Sequence, residues 1–251
     1  MHLNLRLGLI GAGKWGLNYI KTIESIEGIE LIKVACKNIS PKKKASFSSY
    51  ELTDDWKKVV ASKEIDAIII ATNPAMHYEI ASSCIKNGKP IIVEKPLTLS
   101  IEDAESLLSL AEKNKINVKV NHIYLYHPAF RLLKKNISKD FNVRSIYSLS
   151  GNYGPFRKDV TPLWDWGPHD IAMCLAIMNQ FPDKIEAKYI RREISSSFNR
   201  SNINIKLFFQ DNKFADLNFG NLMKSKTRYF KVNSQLSTFI FDPINNLNIK
   251  K

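Results

Sequence analysis

The chain has 251 residues, of which 44% are hydrophobic and 24% are charged, and this balance excludes a largely disordered protein. The formal net charge is +13, but the lysines are scattered and the densest run is only Lys42 to Lys44. We therefore expect no nucleic-acid partner, and a basic surface that attracts anionic small molecules through its field. No apolar run approaches the roughly 20 residues of a membrane-spanning helix, so we expect no membrane partner.

Cysteine and histidine usage bears on the compartment and on metal chemistry. Cys36, Cys84 and Cys174 lie in apolar surroundings and form no Cys-x-x-Cys pair, which is typical of small core residues in a reducing compartment. Because no signal peptide precedes them, we expect a cytoplasmic protein. The five histidines show no zinc-ligand spacing, and we expect no metal site.

The N-terminal stretch predicts a dinucleotide-binding turn. An apolar run, Leu5 to Ile10, indicates a buried strand, and Gly11, Gly13 and Gly16 follow it ahead of residues at helical spacing. In this pattern the first glycine allows a tight turn, the second lets the backbone approach a pyrophosphate, and the third lets helix and strand pack closely. The free N–H groups at the helix start attract the anion. The alternative is a glycine-rich turn in another kind of α/β unit.

The second predicted strand, Glu30 to Ala35, leaves the choice between NAD and NADP open. An acidic residue after this strand usually holds the ribose 2′-hydroxyl, but here Cys36 and Lys37 follow it. Lys37, Asn38 and Ser40 would suit a 2′-phosphate, which slightly favours NADP. The alternative is that none of these residues touches the ribose.

Alternating strands and helices continue to residue 121. The pattern predicts strands at 65–72, 90–93 and 117–120, and helices beginning near Trp56, at 75–86 and at 101–113. This β-α alternation indicates a doubly wound parallel sheet. We therefore assign residues 1–121 to an NAD(P)-binding Rossmann domain.

The character of the chain changes after Asn121. Helices are predicted at 128–139 and at 171–178, the second with Gly167 as its N-cap and Pro168 at its first position. The remaining segments alternate as strands do, at 143–150, 185–191, 203–209, 214–219 and 229–232, with a hairpin turn at 210–212. We assign residues 122–251 to a smaller α+β substrate-binding domain with a mainly antiparallel sheet.

Polar residues follow three strands of the first domain, where ligands of open α/β sheets bind. They are Thr72-Asn73-Pro74, Glu94-Lys95-Pro96 and Asn121-His122. Pro96 biases Lys95 towards an extended backbone, which would hold its side chain in one direction. A cation there could bind a substrate hydroxyl and stabilise developing alkoxide charge. Considered alone, without the other motifs, Lys95 would be an ordinary surface lysine.

A second candidate segment is Trp164 to Asp170. If the helix begins at Pro168, then His169 lies in its first turn, where the helix dipole disfavours the imidazolium and leaves the ring able to accept a proton. Asp165 precedes His169 by four residues and could orient it, which makes an acid–base pair. The alternative is that the two acids serve the helix start and that His169 is a satisfied polar residue.

These motifs resemble those of the Gfo/Idh/MocA oxidoreductase family. The resemblance rests on the run from Gly11 to Gly16, on Ala71 to Pro74 with His77, and on Glu94-Lys95-Pro96, which is the most specific of the three. Further motifs, at 120–122, 126–128, 152–154 and 164–170, look like those of a branch that acts on sugars and nucleotide sugars in surface-polysaccharide biosynthesis. The resemblance extends from about residue 5 to about residue 180.

The resemblance implies a dehydrogenase that passes a hydride between a sugar carbon and NAD or NADP. Lys95, Asp165 and His169 match the catalytic lysine, aspartate and histidine, and the Lys95–Pro96 peptide bond is expected to be cis. The residues expected to bind the cofactor are Gly11, Gly13, Lys14, Trp15, Gly16, Lys37, Thr72, Asn73, Pro74, His77, Glu94 and Lys95. Those expected to bind substrate are Lys95, His122, Tyr124, Asn152, Tyr153, Trp164 and His169.

The resemblance also implies a homo-oligomer formed through the sheet of the second domain. Arg157, Lys158 and Tyr153 would suit a phosphorylated or carboxylated substrate. The sequence ends at Lys251, earlier than is usual in the family, so we expect a shortened second domain with an exposed sheet edge or an incomplete pocket. This departure keeps an alternative open, namely an NAD(P)-binding protein without turnover, such as a sensor or a truncated relative.

Overall fold

The computed structural model describes residues 4–37, 49–137, 142–193 and 198–245. The chain divides into two compact units, Met1–Asn121 and His122–Lys251. Each unit has its own six-stranded sheet and its own apolar core. No helix in the described parts of the chain has the length and apolar character needed to cross a membrane.

The first unit is built on a parallel sheet. Its strands are β1 (Leu5–Ile10), β2 (Ile29–Ala35), β3 (Glu51–Thr53), β4 (Ala67–Ile70), β5 (Ile91–Glu94) and β6 (Val118–Asn121). All neighbours pair in parallel, in the order β3-β2-β1-β4-β5-β6. The predicted doubly wound sheet is therefore confirmed. The short strand β3 was not predicted.

Helices connect these strands. They are α1 (Lys14–Glu24), α2 (Trp56–Ala61), α3 (His77–Lys86) and α4 (Ile101–Asn114), and a 3₁₀ turn at Pro74–Met76 precedes α3. Short polar side chains begin two of them: Asp55 accepts from the Lys57 N–H at 2.9 Å, and Ser100 accepts from the Asp103 N–H at 3.1 Å. In the central strands β1 and β4, consecutive residues are buried on both faces, as their continuous apolar runs predict.

The second unit has a mixed, mainly antiparallel sheet. Its strands are β7 (Val143–Tyr153), β8 (Lys184–Glu193), β9 (Arg200–Phe208), β10 (Phe214–Gly220), β11 (Leu222–Ser234) and β12 (Thr238–Phe241). They lie in the order β12-β11-β7-β10-β9-β8, and only the β7–β10 pair is parallel. The predicted fold class is confirmed, and the predicted hairpin turn carries Asp211 (φ 61°) and Asn212 (φ 56°) in the left-handed region that such turns require. The strand β12 was not predicted.

Helices α5 (Pro128–Ile137) and α6 (Pro162–Met178) pack their apolar sides on one face of this sheet. Phe130 of α5 and Met173 of α6 share a core with Ile146, Phe219 and Phe230 of the strands. The opposite face of the sheet carries the alternate side chains of each strand.

The start of α6 corrects a prediction. The helix begins at Pro162 with Thr161 as its N-cap, so Pro168 lies inside the helix and Gly167 is not a cap. Pro162 already provides the fixed φ and missing N–H that suit a first helical position. Gly167 packs closely against Phe219 instead, since a Cβ there would lie 3.0 Å from the Phe219 ring. The dipole argument for a neutral His169 fails, since this residue lies well beyond the first turn.

The three cysteines are free thiols. Cys84 and Cys174 are buried, and burial raises the pKa of each thiol to about 12. Both are core residues, as predicted, while Cys36 is half-buried after β2.

Candidate active site

The glycine turn lies at the carboxyl end of β1, where the strand order reverses between β1 and β4. Gly11 has φ +101°, and a Cβ there would lie 2.5 Å from the Ala71 carbonyl oxygen. A Cβ on Gly16 would lie 1.9 Å from the Gly11 carbonyl oxygen. Contacts within the protein therefore require glycine at both positions, in the roles that the motif predicts.

Gly13 is different, because a Cβ there would meet no atom within 4 Å. Its φ of −71° is also ordinary, so neither packing nor backbone strain within the described residues explains a glycine. Gly13 is the N-cap of α1, which has no side-chain cap and no acidic residue in its first turn. Open space next to free N–H groups is what a pyrophosphate needs, and the residues present fit a dinucleotide. Lys14 and Trp15 form the first turn beside this space, and Trp15 is 42% exposed.

The end of β2 carries no acidic residue among the described residues that follow it. Lys37 is exposed there, while the other two residues expected near a 2′-phosphate, Asn38 and Ser40, lie outside the described residues. The geometry therefore does not choose between NAD and NADP.

His77 joins the turns that follow β4 and β5. Its Nδ1 lies 2.8 Å from the Pro96 carbonyl oxygen and its Nε2 lies 3.2 Å from the Thr72 carbonyl oxygen. The side chain has no exposed surface, and burial lowers its pKa. His77 therefore links the two turns through its ring nitrogens, and its expected contact with the cofactor stays a prediction. Asn73 caps the 3₁₀ turn by accepting from the Ala75 N–H at 3.0 Å, next to the buried Pro74.

The Glu94-Lys95-Pro96 segment combines an anchored carboxylate with a half-buried lysine. Glu94 is 6% exposed and accepts hydrogen bonds from Tyr19 and Asn121, each at 2.8 Å. Lys95 follows at the strand end, and its peptide bond to Pro96 is cis, as the resemblance implies. Tyr19 was not singled out by the sequence, because its partners come from strands far along the chain.

His169 and Tyr124 come together in the second unit. Their ring centroids are 5.1 Å apart with an interplanar angle of 89°, so one ring meets the other edge-on. His169 is 8% exposed on α6, and Tyr124 lies in a 3₁₀ turn at Ile123–Tyr126. Two residues predicted from separate motifs thus form one contact. His122 is half-buried at the start of that turn, and Trp164 is half-buried in the first turn of α6.

Asp165 faces an arginine as well as lying one helical turn before His169. Arg157 donates to Asp165 Oδ1 at 3.4 Å and also makes a shorter ion pair with Asp159. The hydrogen bond from Arg157 lowers the pKa of Asp159. Because two carboxylates share the guanidinium, Arg157 is poorly suited to the anionic substrate group expected from the sequence. Its contacts are with Asp159 and Asp165.

Asp170 and Arg228 form an ion pair that sequence reasoning missed. Arg228 on β11 donates to Asp170 Oδ2 at 3.0 Å, and the Ser150 hydroxyl donates to the same oxygen at 2.6 Å. The guanidinium carbon lies 4.2 Å from the centroid of the Tyr124 ring. The sequence does show an acidic residue next to His169, which could have prompted a search for a basic partner. No spacing rule, however, points to an arginine so far along the chain.

Asn152 and Tyr153 end β7 on opposite faces. Ser150 faces α6 through its bond to Asp170, so the alternation of the strand places Asn152 on the same side and Tyr153 on the other. Tyr153 is 62% exposed and packs against Phe156.

Within the described ranges, no group of three or more His, Cys, Asp or Glu side chains could hold a metal ion.

Together, the reversal in strand order, the glycine turn and the following α+β unit define a dinucleotide-binding Rossmann protein of two units. A family model for Gfo/Idh/MocA, described as an oxidoreductase family with an NAD-binding Rossmann fold, matches residues 5–122. The chain belongs to this family. The fold and the family expected from the sequence are both confirmed.

Solved and curated proteins agree with this assignment. A candidate oxidoreductase from Magnetospirillum magnetotacticum MS-1 is 35% identical, with a TM-score of 0.87, over 95% of this chain and 77% of that chain. The 4-carboxy-2-hydroxymuconate-6-semialdehyde dehydrogenase of Sphingobium sp. is 26% identical over 53% of this chain and 43% of its own length. The UDP-N-acetylglucosamine 3-dehydrogenase of Acidithiobacillus ferrooxidans is 24% identical over 74% of this chain and 58% of its own length. The chain spans about half the length of the curated relatives it matches.

Proposed function

We propose that this protein is a dehydrogenase that transfers a hydride between NAD or NADP and a hydroxyl-bearing carbon of a sugar or nucleotide sugar. The observation that carries the proposal is the open space at Gly13 beside the uncapped start of α1. The bound nicotinamide would supply the hydride chemistry. The roles of the other residues follow from their chemistry and from their match to the family motifs.

In the direction of oxidation, the imidazole of His169 takes the hydroxyl proton while the hydride leaves the same carbon, and a ketone forms. Lys95 binds the reacting oxygen and offsets the negative charge that develops on it. Asp165 steers the imidazole, and its own carboxylate is steadied by Arg157 at 3.4 Å. Tyr124 packs against His169 and restricts its ring.

The substrate class rests on two observations. The relative from Acidithiobacillus ferrooxidans is named for a UDP-sugar, and the net charge of +13 favours an anionic substrate through long-range attraction. A role in surface-polysaccharide biosynthesis would follow if the substrate is a nucleotide sugar.

The experiment begins with mass spectrometry of any nucleotide that co-purifies with the protein. Binding of NADH and NADPH is then measured by fluorescence, and turnover is screened with sugars and UDP-sugars. Lys95→Ala and His169→Ala should each lower turnover by at least a hundredfold, whereas Lys86→Ala, an exposed lysine at the end of α3, should not. Tight cofactor binding without turnover of any substrate would favour the alternative of a binding protein without catalysis.

We also propose that the second sheet pairs with that of another copy through the face opposite α6. Leu149 is 41% exposed on this face, and the Tyr147 and Phe214 rings pack together on it with centroids 5.6 Å apart. Exposed apolar residues on a sheet face can pack against the same residues of a second copy in a twofold contact. Light scattering should give the mass of a dimer or a higher even oligomer, and Leu149→Lys should lower that mass. A wild-type monomer would overturn this proposal.

A further inference from the structure

Two donors from different elements hold the Glu94 carboxylate. The Tyr19 hydroxyl donates to Glu94 Oε1 at 2.8 Å, and Asn121 Nδ2 donates to the same oxygen at 2.8 Å. Asn121 Nδ2 also lies 2.5 Å from the Tyr19 hydroxyl oxygen, which closes a triangle. Within the described residues, the second carboxylate oxygen, Oε2, receives no hydrogen bond.

The fold places these three side chains at the ligand-binding edge of the sheet. Glu94 and Asn121 are the last residues of β5 and β6, and they are register partners across the parallel pair. Tyr19 lies on α1, the helix whose start faces the glycine turn. Burial and the neighbouring carboxylate raise the pKa of Tyr19, so its hydroxyl stays protonated and remains a donor. The triangle therefore connects the helix of the glycine turn with two strand ends.

We infer that Tyr19 and Asn121 are positioning residues for Glu94, and that they present Oε2 to a hydrogen-bond donor of the bound dinucleotide. This inference rests on the proposed function. An ionised carboxylate only accepts, and its Oε1 is already committed to two donors, so the ligand group at Oε2 must be a hydroxyl or an amide N–H. A phosphate, which brings only acceptors at neutral pH, would be repelled there. The triangle also restricts the Glu94 side chain before the ligand binds. Less conformational entropy is then lost on binding than an unrestrained glutamate would lose.

The test compares ligands that share the adenosine half of a dinucleotide but differ in the nicotinamide half. Dissociation constants for NADH and for ADP are measured on the wild type and on Tyr19→Phe, with thermal unfolding as a check on folding. We expect Tyr19→Phe to weaken NADH binding five- to twentyfold and ADP binding less than twofold. Tyr50→Phe is the matched control, because it removes a Tyr–Glu hydrogen bond of 2.7 Å in the same unit, at the opposite end of the sheet.

A second variant, Glu94→Gln, keeps the size of the side chain. The donors of Tyr19 and Asn121 select the amide oxygen for the Oε1 position, which leaves the amide nitrogen where the ligand donor should arrive. NADH binding should then weaken by more than tenfold with ADP binding unchanged. The positioning role is wrong if the wild type binds NADH and neither variant changes the affinity for NADH. It is also wrong if both variants weaken NADH binding and ADP binding by the same factor. A wild type that binds no dinucleotide overturns the proposed function, and this inference with it.

Discussion

Replacing Arg228 by methionine should destabilise the second unit strongly. The side chain of Arg228 is 4% exposed and that of its partner Asp170 is fully buried, so water cannot replace the lost ion pair. Removing one partner of a buried pair costs about 3–5 kcal/mol, because the other charge stays buried without compensation. The Ser150 hydroxyl still donates to Asp170 and offsets only part of this cost. With an m-value of about 2 kcal/mol/M in urea, the unfolding midpoint should fall by about 2 M.

The assay must separate the two units, since they need not unfold together. The second unit carries Trp164 and Trp166 on α6, while Trp15 and Trp56 belong to the first. Urea unfolding followed by tryptophan fluorescence, in a background where Trp15 and Trp56 are phenylalanine, therefore reports on the second unit alone.

Two comparisons make this prediction refutable. The double variant Asp170→Leu/Arg228→Met removes both charges and should recover most of the stability, to within about 1.5 kcal/mol of the wild type. Lys184→Met breaks the exposed Lys184–Glu186 pair, whose side chains are 66% and 51% exposed, and should cost less than about 1 kcal/mol. If Arg228→Met costs no more than Lys184→Met, or if the double variant is as unstable as the single one, the reasoning is wrong.

Three further outcomes are expected. Gly13→Val should abolish NADH binding while moving the thermal midpoint by only a few degrees, since a Cβ at this position meets no protein atom within 4 Å. Retained binding would contradict the pyrophosphate assignment. Because the pKa of buried His77 is lowered on folding, its contribution to stability is complete above pH 6.5 and declines below it, by up to about 1.4 kcal/mol per pH unit. His77→Asn should flatten that slope in urea titrations between pH 7.5 and 5.5. Iodoacetamide should leave Cys84 and Cys174 unlabelled until the protein unfolds, because burial raises the pKa of each to about 12 and blocks access.

The first unit was the more predictable from sequence because its signals are local. The strand, glycine turn and helix occupy a continuous stretch, and Gly11 and Gly16 are each required by contacts within it or with the next strand end. The strand β3 escaped prediction since three residues, Glu51–Thr53, show no periodicity. The start of α6 was misplaced for another reason. Pro162 and Pro168 could each begin a helix, and the structure shows that α6 begins at the first and continues through the second.

The candidate site was predictable only where a motif names a residue. His169 and Tyr124 were expected from separate motifs, but their contact depends on how α6 lies against the 3₁₀ turn. The partners Arg228 and Tyr19 were missed, because each is joined to its carboxylate across a long stretch of chain. No spacing rule captures such pairs, since the distance along the chain carries no periodic signal.

In two of the motif segments, one residue is held by buried hydrogen bonds and its neighbour in the sequence is proposed to act in the reaction. In the first, Glu94 is tied down by hydrogen bonds from other elements, and Lys95, the residue proposed to bind the reacting oxygen, comes next. In the second, Asp170 is tied by Arg228, and His169, the residue proposed to move the proton, comes just before it. A functional side chain needs a fixed backbone. A buried carboxylate in the adjacent residue fixes the backbone through directional hydrogen bonds from several donors, whereas apolar contacts are not directional. We therefore expect substitutions at Tyr19 or Arg228, which hold these two carboxylates, to lower activity by displacing the adjacent functional residue.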